Sequence, residues 1–154
     1  MCAIGASAVG VGVLPLLGAR RALGGTGRRG ANPISLAQWS LHRALFDKKL
    51  DNLDFAWAAR NTYGIGAVEY VNAFFFDKAS DDGYIGEMKK RADGEGVESV
   101  LIMCDREGEL ANSDDAKRGQ SVENHRKWLG AAAALGCHSI RVNAAGDAPW
   151  DERM

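Results

Sequence analysis

Four polar side chains fall where a chain of alternating strands and helices would gather them: His42, Glu69, Arg141 and Asn143. His42 and Asn143 each follow a strand-like run, and the carboxyl ends of parallel strands are where α/β proteins build their sites. An imidazole and an amide placed there can contact a substrate. The plainer readings are a loop histidine hydrogen-bonded to backbone and a turn asparagine. Glu69 and Arg141 lie inside the second and fourth runs, and alternate strands of a closed parallel sheet send side chains into one layer. Two roles stay open for that pair. They can form a buried ion pair tying the sheet together, because buried charges persist when paired. Or they can border the ligand, with Arg141 donating to a hydroxyl or a phosphate.

Other reactive residue types are placed less favourably. Cys104 ends the third run but has no histidine base nearby in the sequence, so it lacks the partner a thiol nucleophile needs. His125 shares a helix face with apolar residues and reads as packing, while His138 starts the fourth run at the end opposite the site. Trp39, Trp57 and Trp128 read as core and helix-packing residues. Cys2, Cys104 and Cys137 are too few and too irregular for a disulfide framework or a paired-cysteine metal site. Gly25-Thr26-Gly27-Arg28-Arg29-Gly30 matches the dinucleotide fingerprint letter for letter, but no strand leads into it and no helix receives the pyrophosphate, so it reads as a Gly/Arg linker. The acidic stretch from Asp105 to Asp115 is a solvated loop or a lid over a substrate.

The elements that must position these residues repeat. Ile34 to Leu41 alternates as a strand; Asp51 or Asn52 then caps a helix over Leu53 to Tyr63, closed by Gly64. Ala67 to Val71 is a second strand, and Ser80 or Asp81 caps a helix with Tyr84, Ile85, Met88 and Ala92 on one face. Val97 to Cys104 is a third. Ser121 starts a helix whose apolar face is Val122, His125, Leu129, Ala132 and Ala133, with Gly136 as its stop and His138 to Val142 as the fourth strand. Pro149-Trp150-Asp151-Glu152 is built like the first turn of one more helix.

Strand–helix alternation at this spacing makes the fold class α/β, with right-handed crossovers and a parallel sheet. Strand starts at 34, 67, 97 and 138 give units of 30 to 40 residues, four of the eight in a (β/α)₈ barrel. The expectation is the first half of a TIM barrel over 33–154. The competing architecture is a small doubly wound sheet, flavodoxin-like, whose doubly covered strands should be almost wholly apolar. Gln38 and Ser40 in strand one, Glu69 in strand two and Arg141 in strand four weigh against it. Half a barrel exposes an apolar inner face and an unpaired fourth strand, so aggregation or homo-oligomer formation is expected.

Composition agrees with a globular chain: 154 residues, 46% hydrophobic and 25% charged. Lys and Arg number 19 against 20 Asp and Glu, but four arginines and no acid lie in residues 1–30, leaving 15 basic against 20 acidic groups beyond, a net of −5. An acidic body gives no electrostatic case for nucleic acid. Residues 1–32 read as a leader followed by the linker. Ala3 to Leu17 is an apolar, small-residue run like a secretory h-region, while Pro15 and four glycines argue against a stable membrane span. No basic n-region precedes it and Arg20-Arg21 follows it, so either the true start lies upstream or this is a loose apolar tail. The corresponding expectations are export to a periplasm-like compartment, or otherwise a cytoplasmic protein.

Ile34-Ser-Leu-Ala-Gln-Trp-Ser-Leu-His42, Gly66-Ala-Val-Glu-Tyr-Val-Asn72 with Phe74-Phe-Phe76, and Ser139-Ile-Arg-Val-Asn-Ala-Ala-Gly146 together resemble the sugar phosphate isomerase/epimerase family of the xylose isomerase-like TIM-barrel superfamily. The resemblance covers about residues 33–154, the first half of such a barrel. It implies a sugar or sugar phosphate ligand and proton transfer beside a sugar carbonyl. It also implies a divalent metal (Mn, Mg, Co or Zn) whose ligands come from the fifth to eighth strands, so none transfers onto this sequence. By that reading the chain is a fragment or truncated product, inactive alone, with His42, Glu69, Arg141 and Asn143 as substrate-binding residues; a non-catalytic sugar-binding relic is the alternative. The endonuclease-like branch of the superfamily takes metal-binding histidines from strands two and three, where this sequence has Asn72 and Asp105.

Overall fold

The computed structural model describes residues 33–153; the expected leader and linker at 1–32 lie outside the described residues. Strands β1 (Leu36–Ala37), β2 (Ala67–Val71), β3 (Glu98–Met103) and β4 (Ser139–Arg141) form one parallel sheet in the order β1-β2-β3-β4. Helices α1 (His42–Phe46), α2 (Phe55–Tyr63), α3 (Asp82–Gly94) and α4 (Asp115–Leu135) lie between successive strands, and α5 (Trp150–Arg153) follows β4. The class is therefore α/β with a four-stranded parallel sheet.

Local sequence accounts for the helix ends. Asp51 accepts from the Leu53 amide at 2.8 Å and Asp81 from that of Tyr84 at 3.0 Å, each satisfying an N–H that the first turn leaves unpaired. Gly64 closes α2 and Gly136 closes α4 in the left-handed conformation, at φ 69° and 81°.

Two elements differ from the sequence-based expectation. The first strand is only two residues long, because the chain turns at Gln38 into a 3₁₀ segment, Gln38–Leu41. The Gln38 side chain does what a longer strand would have done: its Oε1 accepts from the Val71 N–H at 2.8 Å, and its Nε2 donates to Asn52 Oδ1 at 2.6 Å. Gln38 and Ser40 are thus not strand residues, and their weight against a doubly wound sheet is lost. The fourth helix starts at Asp115 rather than Ser121, because Asp114 accepts from the amides of Ala116 and Lys117. Its buried face is Ser121, His125, Trp128, Ala131, Ala132 and Leu135; of the expected face His125 and Ala132 are buried, while Val122, Leu129 and Ala133 are exposed.

Strand order supplies a different argument against a doubly wound sheet. Such sheets reverse their order at a switch point and carry helices on both faces. No reversal occurs among the described residues. Register sets Tyr70, Ile102 and Ile140 side by side, and the core they join contains Phe55 and Ala59 of α2, Met88 and Ala92 of α3, and Trp128 and Leu135 of α4. The three long helices share one face. The other face carries Ala37, Glu69, Leu101 and Ser139 in one row and Val71, Met103 and Arg141 in the next. Half-buried Leu101 and Met103 take no part in the helix-side core.

Candidate functional site

Polar side chains gather at the carboxyl edge of the sheet, where the strand ends leave backbone groups to be satisfied. Asn72 follows β2 directly and is fully buried. Its Nδ2 donates to the Asp105 carbonyl at 2.9 Å and its Oδ1 accepts from the Asp105 N–H at 3.0 Å, so one side-chain amide clasps the backbone beyond β3. The Asp105 side chain is then free to face β4. Arg141 Nη1 donates to Asn143 Oδ1 at 2.5 Å, Asn143 Nδ2 donates to Asp105 Oδ1 at 2.9 Å, and Arg141 Nη1 stands 3.5 Å from that same carboxylate oxygen. The three side chains close a ring. It is open to ligand, with Arg141 41% and Asp105 32% exposed at the side chain.

The segment after β3 is fastened to the body rather than loosely solvated. Glu107 is 4% exposed and accepts from Trp128 Nε1 at 2.5 Å and Lys127 Nζ at 2.9 Å. The Arg106 guanidinium lies 5.2 Å from the centroid of the Phe76 ring, and Lys127 Nζ lies 5.0 Å from it. Further along, the Ala111 N–H donates to the Ala145 carbonyl at 2.9 Å and the Ser113 N–H to Asp147 Oδ1 at 2.9 Å, which couples this loop to the one after β4. That backbone hydrogen bond to Ser113 holds the Asp147 carboxyl below its ordinary range.

The sequence-flagged residues separate into three places. Arg141 and Asn143 meet, as members of the ring. Glu69 shares their face of the sheet but bonds the Ser35 hydroxyl, so the Glu69–Arg141 ion pair is not formed. Register explains it: Arg141 is level with Met103 and Val71, one row beyond Glu69, and Asp105 is nearer. His42 is found at the start of α1, where its Nδ1 donates to the Trp39 carbonyl at 2.7 Å. A carbonyl only accepts, so Nδ1 carries the proton and Nε2 is the ring's remaining functional atom.

His42 stacks on Trp39 at 5.0 Å with 13° between the rings, and Phe46 and Phe74 complete an aromatic cluster. Trp39 is 48% and Phe46 56% exposed, which corrects the reading of Trp39 as core; Trp57 is exposed too, and Trp128 alone of the three is buried. Beside the cluster a cleft of about 490 Å³ is lined by Leu45, Phe46, Asn52, Phe74 and Tyr84 among others.

Asn72 and Asp105 were missed as site residues, although Asn72 directly follows β2, Asp105 lies two residues beyond β3, and the rule that marked Asn143 marks them too. Cys104 is buried, and burial pushes its thiol up to about 12, which leaves no thiolate for nucleophilic chemistry at neutral pH. The described residues bring together no group of three or more His, Cys, Asp and Glu side chains, so they do not by themselves fit the divalent metal that the resemblance implies. Among the described residues no helix is long and apolar enough to cross a membrane.

Fold and site define an α/β protein with a parallel sheet, helices packed on one face, and a polar ring at the carboxyl edge. No family model matches the chain, and no curated protein matches it.

Proposed function

We propose that these strand–helix units are the first half of a TIM barrel of the xylose isomerase-like superfamily, and that their carboxyl edge is one wall of a pocket for a sugar or sugar phosphate. The whole barrel would perform proton transfer beside a sugar carbonyl, as an isomerase or epimerase does. The observation that carries this reading is the Asp105–Arg141–Asn143 ring, which offers donors and acceptors side by side at the edge where parallel α/β sheets bind ligands. Sequential strand order with helices on one face supports the barrel. The exposed rings of Trp39 and Phe46 support a ligand with apolar patches as well as hydroxyls. Arg141 and Asn143 orient the ligand in this proposal, and no described residue is assigned as a metal ligand.

A sugar-binding protein without catalysis is the second reading. One observation favours it: Glu69 and Asp105 each accept hydrogen bonds within the chain, from Ser35 and from the ring, which gives each carboxylate a holding role. Titrating the protein with aldoses, ketoses and their phosphates, followed by NMR, tests the pocket: binding should weaken at least about tenfold in Arg141→Ala. Undiminished binding in that variant would place the ligand elsewhere and overturn the reading. Deuterium exchange beside the carbonyl, in D2O, separates catalyst from binder.

A further inference from the structure

We infer that the Arg141 ring is built for an uncharged vicinal diol and selects against a phosphate ester. The inference rests on the sugar-pocket reading above and narrows its ligand class. A phosphate group carries nearly two negative charges at neutral pH, and proteins hold it with cations and N–H groups that have no competing anion. Here the cation is already matched. Arg141 Nη1 stands 3.5 Å from Asp105 Oδ1, and one N–H of the Asn143 amide is also turned onto that carboxylate.

Cations of the adjoining loop and helix have contacts of their own. Lys127 pairs with Glu107, Arg106 lies over Phe76, and Arg118 donates to the Asn112 carbonyl and pairs with Asp115. Glu69, on the same face of the sheet, adds a further negative charge. A phosphate entering the ring would meet the Asp105 carboxylate, whose charge already offsets that of Arg141.

A pair of adjacent hydroxyls meets the opposite situation, because each hydroxyl both donates and accepts. Within the ring, Asp105 uses Oδ1 and Arg141 uses Nη1. Among the described residues, Asp105 Oδ2 remains as an acceptor, and Arg141 Nε and Nη2 remain as donors. An acceptor beside donors is the complement of a diol, one hydroxyl donating to the carboxylate and its neighbour accepting from the guanidinium. The Asn72 clasp fixes the Asp105 backbone, so the acceptor is held in place before the ligand arrives.

The test uses the full chain, with D-glucose, D-glucose 6-phosphate and inorganic phosphate as probes and NMR titration as the readout. Wild-type protein should bind glucose, bind glucose 6-phosphate no more tightly, and show no response to inorganic phosphate at the Arg141 and Asn143 resonances. Asp105→Asn removes the carboxylate charge and leaves the backbone clasp intact. It should weaken glucose by about tenfold and bring out a response to inorganic phosphate that the wild type lacks. Wild-type preference for glucose 6-phosphate by tenfold or more, abolished in Arg141→Ala, would overturn the diol inference and leave the sugar pocket standing. Silence of the ring resonances toward all three probes would remove the sugar pocket itself. The wild-type comparison needs no variant, so a misfolded Asp105→Asn protein does not protect the inference.

Discussion

On the helix-covered face of the sheet, Tyr70, Ile102 and Ile140 stand in register beneath α2, α3 and α4, and burial there raises the Tyr70 hydroxyl and the Cys104 thiol each to about 12. On the opposite face and its carboxyl edge, Glu69 bonds Ser35 while Asp105, Arg141 and Asn143 bond one another, at partial exposure. The first face shows what shape-matched apolar packing does for a fold. The second shows polar groups that the fold positions but does not need. If that division is right, substitutions on the two sides should separate stability from binding.

The strongest way to break the comparison is Trp128→Ala. Trp128 is fully buried, meets Phe75 edge-on at 5.4 Å, and donates to the buried Glu107 carboxylate. Its removal should cost about 3–5 kcal/mol by urea unfolding, from the cavity alone, and more because Glu107 loses a donor. A loss below about 1 kcal/mol would mean that the helix face is not the stabilising one. Next is Gly146→Ala. A Cβ there would run into the Ala111 backbone, where the loops after β3 and β4 meet, so a loss of about 1–3 kcal/mol is expected in the same measurement. Because those loops border Asp105 and Asn143, it should weaken ligand binding as well.

What could be read from the sequence was mostly what repeats. The helix caps Asp51 and Asp81, the stops Gly64 and Gly136, and strands two to four are local signals, and each is found within a residue or two of its expected place. Strand one was misread because Gln38 pairs through its side chain rather than its backbone, and alternation cannot tell these apart. The face of α4 was only partly legible, with His125 and Ala132 buried as expected, because its alanines give a weak apolar stripe and the tie between Trp128 and Glu107 comes from a loop whose path the sequence does not give. In the site, Arg141 and Asn143 were legible as a strand end. That Arg141 meets Asp105 rather than Glu69 was not legible, because register, which puts Arg141 a row beyond Glu69, is a property of the paired strands and not of either one.

A third test sharpens the contrast through pH. The Cys104 thiol is raised from 9.0 to about 12 and the Cys137 thiol to about 11, both chiefly by burial. An unfolded chain releases these protons near the ordinary value while the folded chain retains them. Stability is therefore full below the unfolded value and falls as pH rises from there toward the folded values, since the unfolded state then binds fewer protons. Urea midpoints at about pH 8 and about pH 10 should show this fall, and Cys104→Val should shrink it. An equal fall in that variant would mean that the thiol on the packed face is not its source.

The smallest stability effect belongs to Arg141→Ala, and it is the most informative about the open face. Arg141 ends the edge strand and contacts Asp105 and Asn143 at substantial exposure, and ion pairs of that kind contribute about 0–1 kcal/mol. Its urea midpoint should stay close to wild type while sugar binding falls. If instead the variant lost as much stability as Trp128→Ala, the ring would be a structural tie like the Glu107 one, and its polar groups would need no ligand to explain them. A near-unchanged midpoint with lost binding would leave the ring a role only in recognition, since a pair that hardly stabilises the fold and still keeps three side chains in fixed mutual geometry is preorganised for something outside the chain.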